Sequence, residues 1–142
     1  MKYAISAAAG ITGSLIVSLF GGWTAAMTTL VLFMAIDYLS GLIVAGVFHQ
    51  SQKTETGTLE SRAGFKGLCR KCMILLFVAI GHRLDLIIGV DYIMNAVCIA
   101  FIVNELISIV ENAGLMGLPI PSVITKSIDI LNSKQNESGQ KG

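Results

Sequence analysis

Charge is what this sequence has least of. From Tyr3 to Ile36 there is no Asp, Glu, Lys, Arg or His, and over all 142 residues only 13% are charged against 54% hydrophobic. A soluble domain of this length needs more charge to cover its surface, so an ordinary water-soluble fold is excluded. The uncharged run alone can supply more than one membrane crossing at about 20 residues each. Cysteine is too sparse for a disulfide framework, with three residues in all. Cys69 and Cys72 form a C-x-x-C without the second pair or nearby His that a zinc site requires. Cys98 lies in an apolar run, and all three read as structural. Histidine is confined to His49 and His82, neither at a recognised catalytic spacing from a Cys, Ser or carboxylate. No phosphate-binding glycine motif is present, and the aromatics do not interleave with a basic patch as nucleic-acid binding requires. These absences argue against an enzyme, a metal or cofactor protein, and a nucleic-acid binder. Proline occurs only at 119 and 121.

What is present is an all-α integral membrane pattern organised around one polar stretch, His49 to Lys71. It holds Lys53, Arg62, Lys66, Arg70 and Lys71 against Glu55 and Glu60. Cationic loops between spans stay in the cytoplasm, so this loop sets the orientation of the rest. Arg62, Lys66 and Arg70 fall at i, i+4 and i+8. If that half is helical, one side is a basic stripe with Phe65, Leu68 and Cys72 beside it, suited with Lys71 to anionic headgroups. A plain solvated loop obeying the positive-inside rule satisfies the same residues.

The flanking segments predict about four spans, near 4–20, 25–48, 72–88 and 92–110, with three as the alternative if the first lies flat or dips in. Met1-Lys2-Tyr3 before an apolar run is also the form of a signal peptide, but no convincing cleavage site follows Phe20. In the first span Ser6, Gly10, Ser14, Ser18 and Gly22 recur every four residues. On a helix they make a flat face of small side chains, where backbones can approach closely in lipid. Either a second copy or another helix of the same chain satisfies such a face. Gly21-Gly22 breaks the first helix from the second, with Trp23 as an interface anchor.

Asp37 sits at the middle of the second span, in register with Gly41 and Ala45. A lone carboxylate there is costly and needs a partner or water; Arg83, in the far half of the third span, either pairs with it or snorkels outward. Asn104 and Glu105, with Ser108 near their face, add polar groups to the fourth span. Beyond it, glycines and prolines end the helix, and Ser122 can cap a short amphipathic helix with Val123, Ile124, Ile128 and Leu131 on one side. From Asn132 the tail is polar and expected to be disordered. The chain thus divides into a membrane domain, 1–121, and a cytoplasmic helix and tail, 122–142. Four spans put both termini and the 49–71 loop on one side, with nine of the ten Lys and Arg residues. The positive-inside rule makes that side the cytoplasm.

Three stretches carry a resemblance: Asp37-Tyr38-Leu39-Ser40-Gly41, Ser61 to Lys71 (SRAGFKGLCRK) and Asn104 to Pro121 (NELISIVENAGLMGLPIP). Together they resemble the phage holin family shared by toxin-secretion and phage-lysis holins. The resemblance implies a homo-oligomer in bilayer lipid that opens lesions in the bacterial cytoplasmic membrane, releasing an endolysin or a large toxin without needing to touch it. It implies no cofactor. A small multi-span transporter or exporter and an antiholin-like subunit are the competing readings.

Overall fold

The computed structural model describes residues 1–140, so the last two residues of the polar tail lie outside it. Five α-helices follow one another: α1 (Lys2–Leu19), α2 (Ala25–Ile43), α3 (Ser61–Ile88), α4 (Ile93–Leu115) and α5 (Ser122–Gln140). A single π-helical turn, Val44–Phe48, prolongs α2. The chain is all-helical among the described residues, in agreement with the hydropathy pattern.

Local chemistry places the breaks. Gly21 and Gly22 adopt φ of +67° and +112°, which a residue without Cβ tolerates readily, and α1 ends there. Thr24 then caps α2, its side chain accepting from the Met27 amide, while the Trp23 indole donates to Thr28 Oγ1 at 2.8 Å. Between α3 and α4 the turn is tighter. Asp85, buried on α3, accepts from the Ile93 amide at 2.8 Å and the Met94 amide at 3.0 Å, capping α4 from across the hairpin. Free amides at a helix start bind a carboxylate well because the helix dipole adds to the hydrogen bonds. Asp85→Ala is therefore expected to lower the thermal stability of the detergent-solubilised protein by about 1–2 kcal/mol, measured by thermal unfolding, with Asp85→Asn retaining part of it.

Helices α2, α3 and α4 form the bundle. Met27, Leu30 and Met34 of α2, Ile74 and Val78 of α3, and Cys98 and Ile102 of α4 share one buried cluster, joined by Phe20. Helix α1 stands apart and buries none of its residues.

Two expectations are corrected. The basic half of the 49–71 loop is helical, the alternative its i, i+4, i+8 spacing offered, and it is continuous with the segment expected as the third span, α3 running unbroken for 28 residues. The loop proper is 49–60. The tail is not disordered from Asn132: α5 continues to Gln140. Ile128, Leu131, Asn132, Gln135 and Ser138 are half-buried at helical spacing, so one face carries the helix onward, and Leu131 reaches the bundle core.

Three helices are long and apolar enough to cross a membrane: Lys2–Leu19, Ala25–Phe48 and Ile93–Leu115. Helix α3 has the length, but its apolar half is bounded by Lys71 and interrupted by Arg83 and Asp85.

Candidate functional site

The three helices bring one polar cluster together halfway along the bundle. Asp37 lies twelve residues into α2 and Glu105 twelve into α4, and these two helices run the same way. Between them comes Lys71 of α3. Its Nζ donates to Asp37 Oδ2 at 2.7 Å and to Glu105 Oε2 at 2.6 Å. The three side chains are 7%, 5% and 13% exposed, so the charges meet almost out of solvent. One ammonium between two carboxylates satisfies hydrogen bonding but leaves a formal charge of −1.

Further groups tie the cluster down. Asn112 of α4 is buried and donates through Nδ2 to Ser40 Oγ at 2.8 Å and to Asp37 O and Oδ1, both at 3.3 Å. The Ser40 hydroxyl in turn donates to Asp37 O at 3.1 Å. Every fully enclosed side-chain nitrogen or oxygen among the described residues has a hydrogen-bond partner. A buried network of this kind holds a fixed helix register, because any slip leaves a polar group unpaired.

Tyr38 of α2 lies against two glycines of α3. A Cβ at Gly64 would stand 3.3 Å from the Tyr38 hydroxyl, and one at Gly67 would stand 3.7 Å from the Tyr38 ring. Tyr38 thus lies over a side-chain-free slot in α3, one turn from Lys71. A cavity of about 240 Å³ opens from the cluster towards the 49–60 loop. Lys53, Arg70, Asn104 and Ser108 are among its lining residues.

Asp37 and Glu105 are therefore brought together, with Lys71 rather than Arg83 as the partner. Arg83 is exposed and takes part in no ion pair among the described residues. The physical reason is depth. Arg83 is twelve residues along α3 from Lys71, about 18 Å at 1.5 Å per residue, and so lies near the far end of the bundle. Asn104 is exposed at the cavity. Gly41 and Ala45 lie on the inner side of α2: Ala45 is buried and a Cβ at Gly41 would approach Asn112 Nδ2 at 3.8 Å. That face packs within the chain. Ser6, Gly10, Ser14 and Ser18 on α1 are all exposed, and nothing lies within 4 Å of a Cβ built at Gly10 or Gly22. Arg62, Lys66 and Arg70 are exposed on α3. Asn112 was not singled out by sequence reasoning, although its place one helix face below Glu105 and Ser108 is legible once α4 is known to reach Leu115. No group of three or more His, Cys, Asp or Glu is placed to hold a metal among the described residues.

The bacteriophage holin family matches residues 14–133, a span that takes in the whole cluster. Several bacterial proteins are similar over nearly their full lengths. An uncharacterised protein of Halalkalibacterium halodurans is 36% identical over 143 residues, 96% of this chain and 100% of the relative. One of Listeria monocytogenes is 38% identical over 130 residues, 91% of this chain and 87% of the relative. A protein of Bacillus phage phi105 named probable holin is 30% identical over 107 residues, 75% of this chain and 73% of the relative. No solved structure matches the chain.

Proposed function

Since this chain belongs to the bacteriophage holin family, whose members are not enzymes, we propose that it assembles in the bacterial cytoplasmic membrane and opens lesions wide enough for folded protein. The cargo on this reading is an endolysin reaching the cell wall, or a large toxin leaving the cell; neither needs to touch the channel former. The observation that carries the reading is α1. It is an apolar helix of crossing length with no residue buried, and its Ser6, Gly10, Ser14, Ser18 and Gly22 face is left open by the rest of the chain. In lipid, such a face gains packing energy from a second copy. Behind it, Asp37, Lys71 and Glu105 are paired inside the bundle.

A transporter reading needs an intramembrane carboxylate available to a coupled ion. Here Lys71 engages Asp37 and Glu105 together, which disfavours it. The functional test is inducible expression in bacteria with and without a cytoplasmic wall-degrading enzyme. Abrupt clearing of the culture only when both are made is the expected result; gradual growth inhibition without clearing contradicts the reading and fits a transporter or a restraining subunit.

The proposed topology has four crossings, α3 being the one that turns Lys71 and Asp85 inward, with both termini and the 49–60 loop cytoplasmic. In a variant lacking the native cysteines, a cysteine replacing Lys53 should resist an impermeant thiol reagent added to intact cells before lysis. One replacing Gly89, at the α3–α4 turn, should react. The reverse pattern would overturn the orientation.

A further inference from the structure

The ion cluster fixes the depth of everything on α3. Lys71 is pinned level with Asp37 and Glu105, midway along α2 and α4. From there α3 runs towards the loop alongside the inner halves of those helices, and a Cβ at Gly46 would stand 3.9 Å from Leu59 at the far end, confirming the register. Arg70, Lys66 and Arg62 therefore occupy about 12 Å of α3 at 1.5 Å per residue, at the same level as an uncharged stretch of α2 from Tyr38 to Phe48. On α2 that level presents exposed Leu39, Ile43 and Val47, a surface made for acyl chains. One side of the bundle is thus suited to lipid, while at equal depth another side carries three exposed cations with no ion pair among the described residues.

A charged side chain facing hydrocarbon costs about 2.5–3.5 kcal/mol at a helix centre, and less towards the headgroups. Three in succession, beside apolar neighbours of the same subunit, need a wet surface at that depth. The stripe also meets the polar cavity at Arg70, and Asn104 of α4 lines the same space. We propose that the Arg62–Lys66–Arg70 face of α3, with Asn104 beside it, lines the aqueous lumen of the lesion, and that narrow lesions consequently pass anions in preference to cations. This rests on the lesion-forming function proposed above and adds the surface that faces water.

Wall charge controls permeation across a lumen comparable to the Debye length, which is roughly 30 Å at about 10 mM salt. Purified protein in planar bilayers under a potassium chloride gradient at that ionic strength should show a reversal potential of the sign set by chloride, with chloride permeating several-fold better than potassium. The triple variant Arg62→Gln, Lys66→Gln, Arg70→Gln should fall to near parity. Should the triple variant fail to insert, single cysteines at 62, 66 and 70 in a chain without native cysteines supply the second measurement. They should react with a charged, water-borne thiol reagent in step with leakage, while a cysteine at Leu39 stays protected. Lesions that open but prefer potassium, or stripe cysteines that stay unreactive in leaking vesicles, would overturn the lumen assignment alone. Absence of any conductance would overturn the lesion-forming function and the lumen assignment with it.

Discussion

Replacing Lys71 with methionine is expected to be the most damaging single substitution on α3. It keeps the length of the side chain but removes the one cation between two buried carboxylates. Breaking a buried ion pair from one side costs about 3–5 kcal/mol, because the remaining charge has neither water nor partner; here two carboxylates are stranded together. The detergent-solubilised variant should unfold at markedly lower temperature, become protease-sensitive between α2 and α3, and accumulate poorly in the membrane. The triple variant Lys71→Met, Asp37→Asn, Glu105→Gln removes all three charges and should recover most of the loss, since neutral replacements of similar volume are often tolerated. Asp37→Asn alone should be milder than Lys71→Met, as Glu105 still holds the ammonium and Asn112 still has Ser40. Arg83→Gln should leave stability close to wild type. An Arg83→Gln effect as large as that of Lys71→Met would mean the helices meet in another register.

The second large effect is expected at α1. Gly10→Leu with Ser14→Leu places two branched side chains on a face that meets nothing within its own chain. Folding of the α2–α4 bundle should be unchanged, because no residue of α1 is buried. Crosslinked oligomers should nevertheless diminish sharply and culture lysis should be delayed or lost. Controls at Leu15 and Ile16, which point elsewhere on the same helix, should have little effect when exchanged for other large apolar residues. If the double variant inserts normally and both oligomer and lysis are unaffected, the small residues are composition and not an interface.

Much of this was legible in the sequence, and the part that was not has a definite cause. The helical class and the breaks at Gly21-Gly22 and beyond Leu115 follow from apolar length and from residues that end helices. The polar positions that matter, Asp37 and Glu105, stand out because charge in an apolar run is rare. Their partner was hidden by a boundary. Ending the loop at Lys71 puts Lys71 at the membrane surface and Arg83 near the depth of Asp37. Starting the helix at Ser61 instead extends α3 below Lys71, and depth matching against α2 and α4 then selects the lysine. The i, i+4, i+8 spacing of Arg62, Lys66 and Arg70 was the available signal, since it indicates a helix through the supposed loop. The Tyr38 slot over Gly64 and Gly67 needs two helices placed at once, which one-dimensional periodicity does not provide. Helix α5 exceeded its expected end because contact with α4 compensates for weak intrinsic helicity in a polar segment, a tertiary effect with little local trace.

The three stretches that carry the family resemblance also acquire a physical reading. Asp37, Tyr38, Ser40 and Gly41 come from the first, Gly64, Gly67, Arg70 and Lys71 from the second, and Asn104, Glu105, Ser108 and Asn112 from the third. All contribute to the same ion cluster, its hydrogen-bonded support or the adjoining cavity.

The most direct test of the lesion-forming function is release from vesicles reconstituted with the purified full-length protein and loaded with solutes of graded size. The expected result is a threshold in protein density, above which small dyes and a folded protein of endolysin size escape together, and which the Gly10→Leu, Ser14→Leu variant fails to reach. Release of ions or dyes alone at every density, with the folded protein retained throughout, would contradict it.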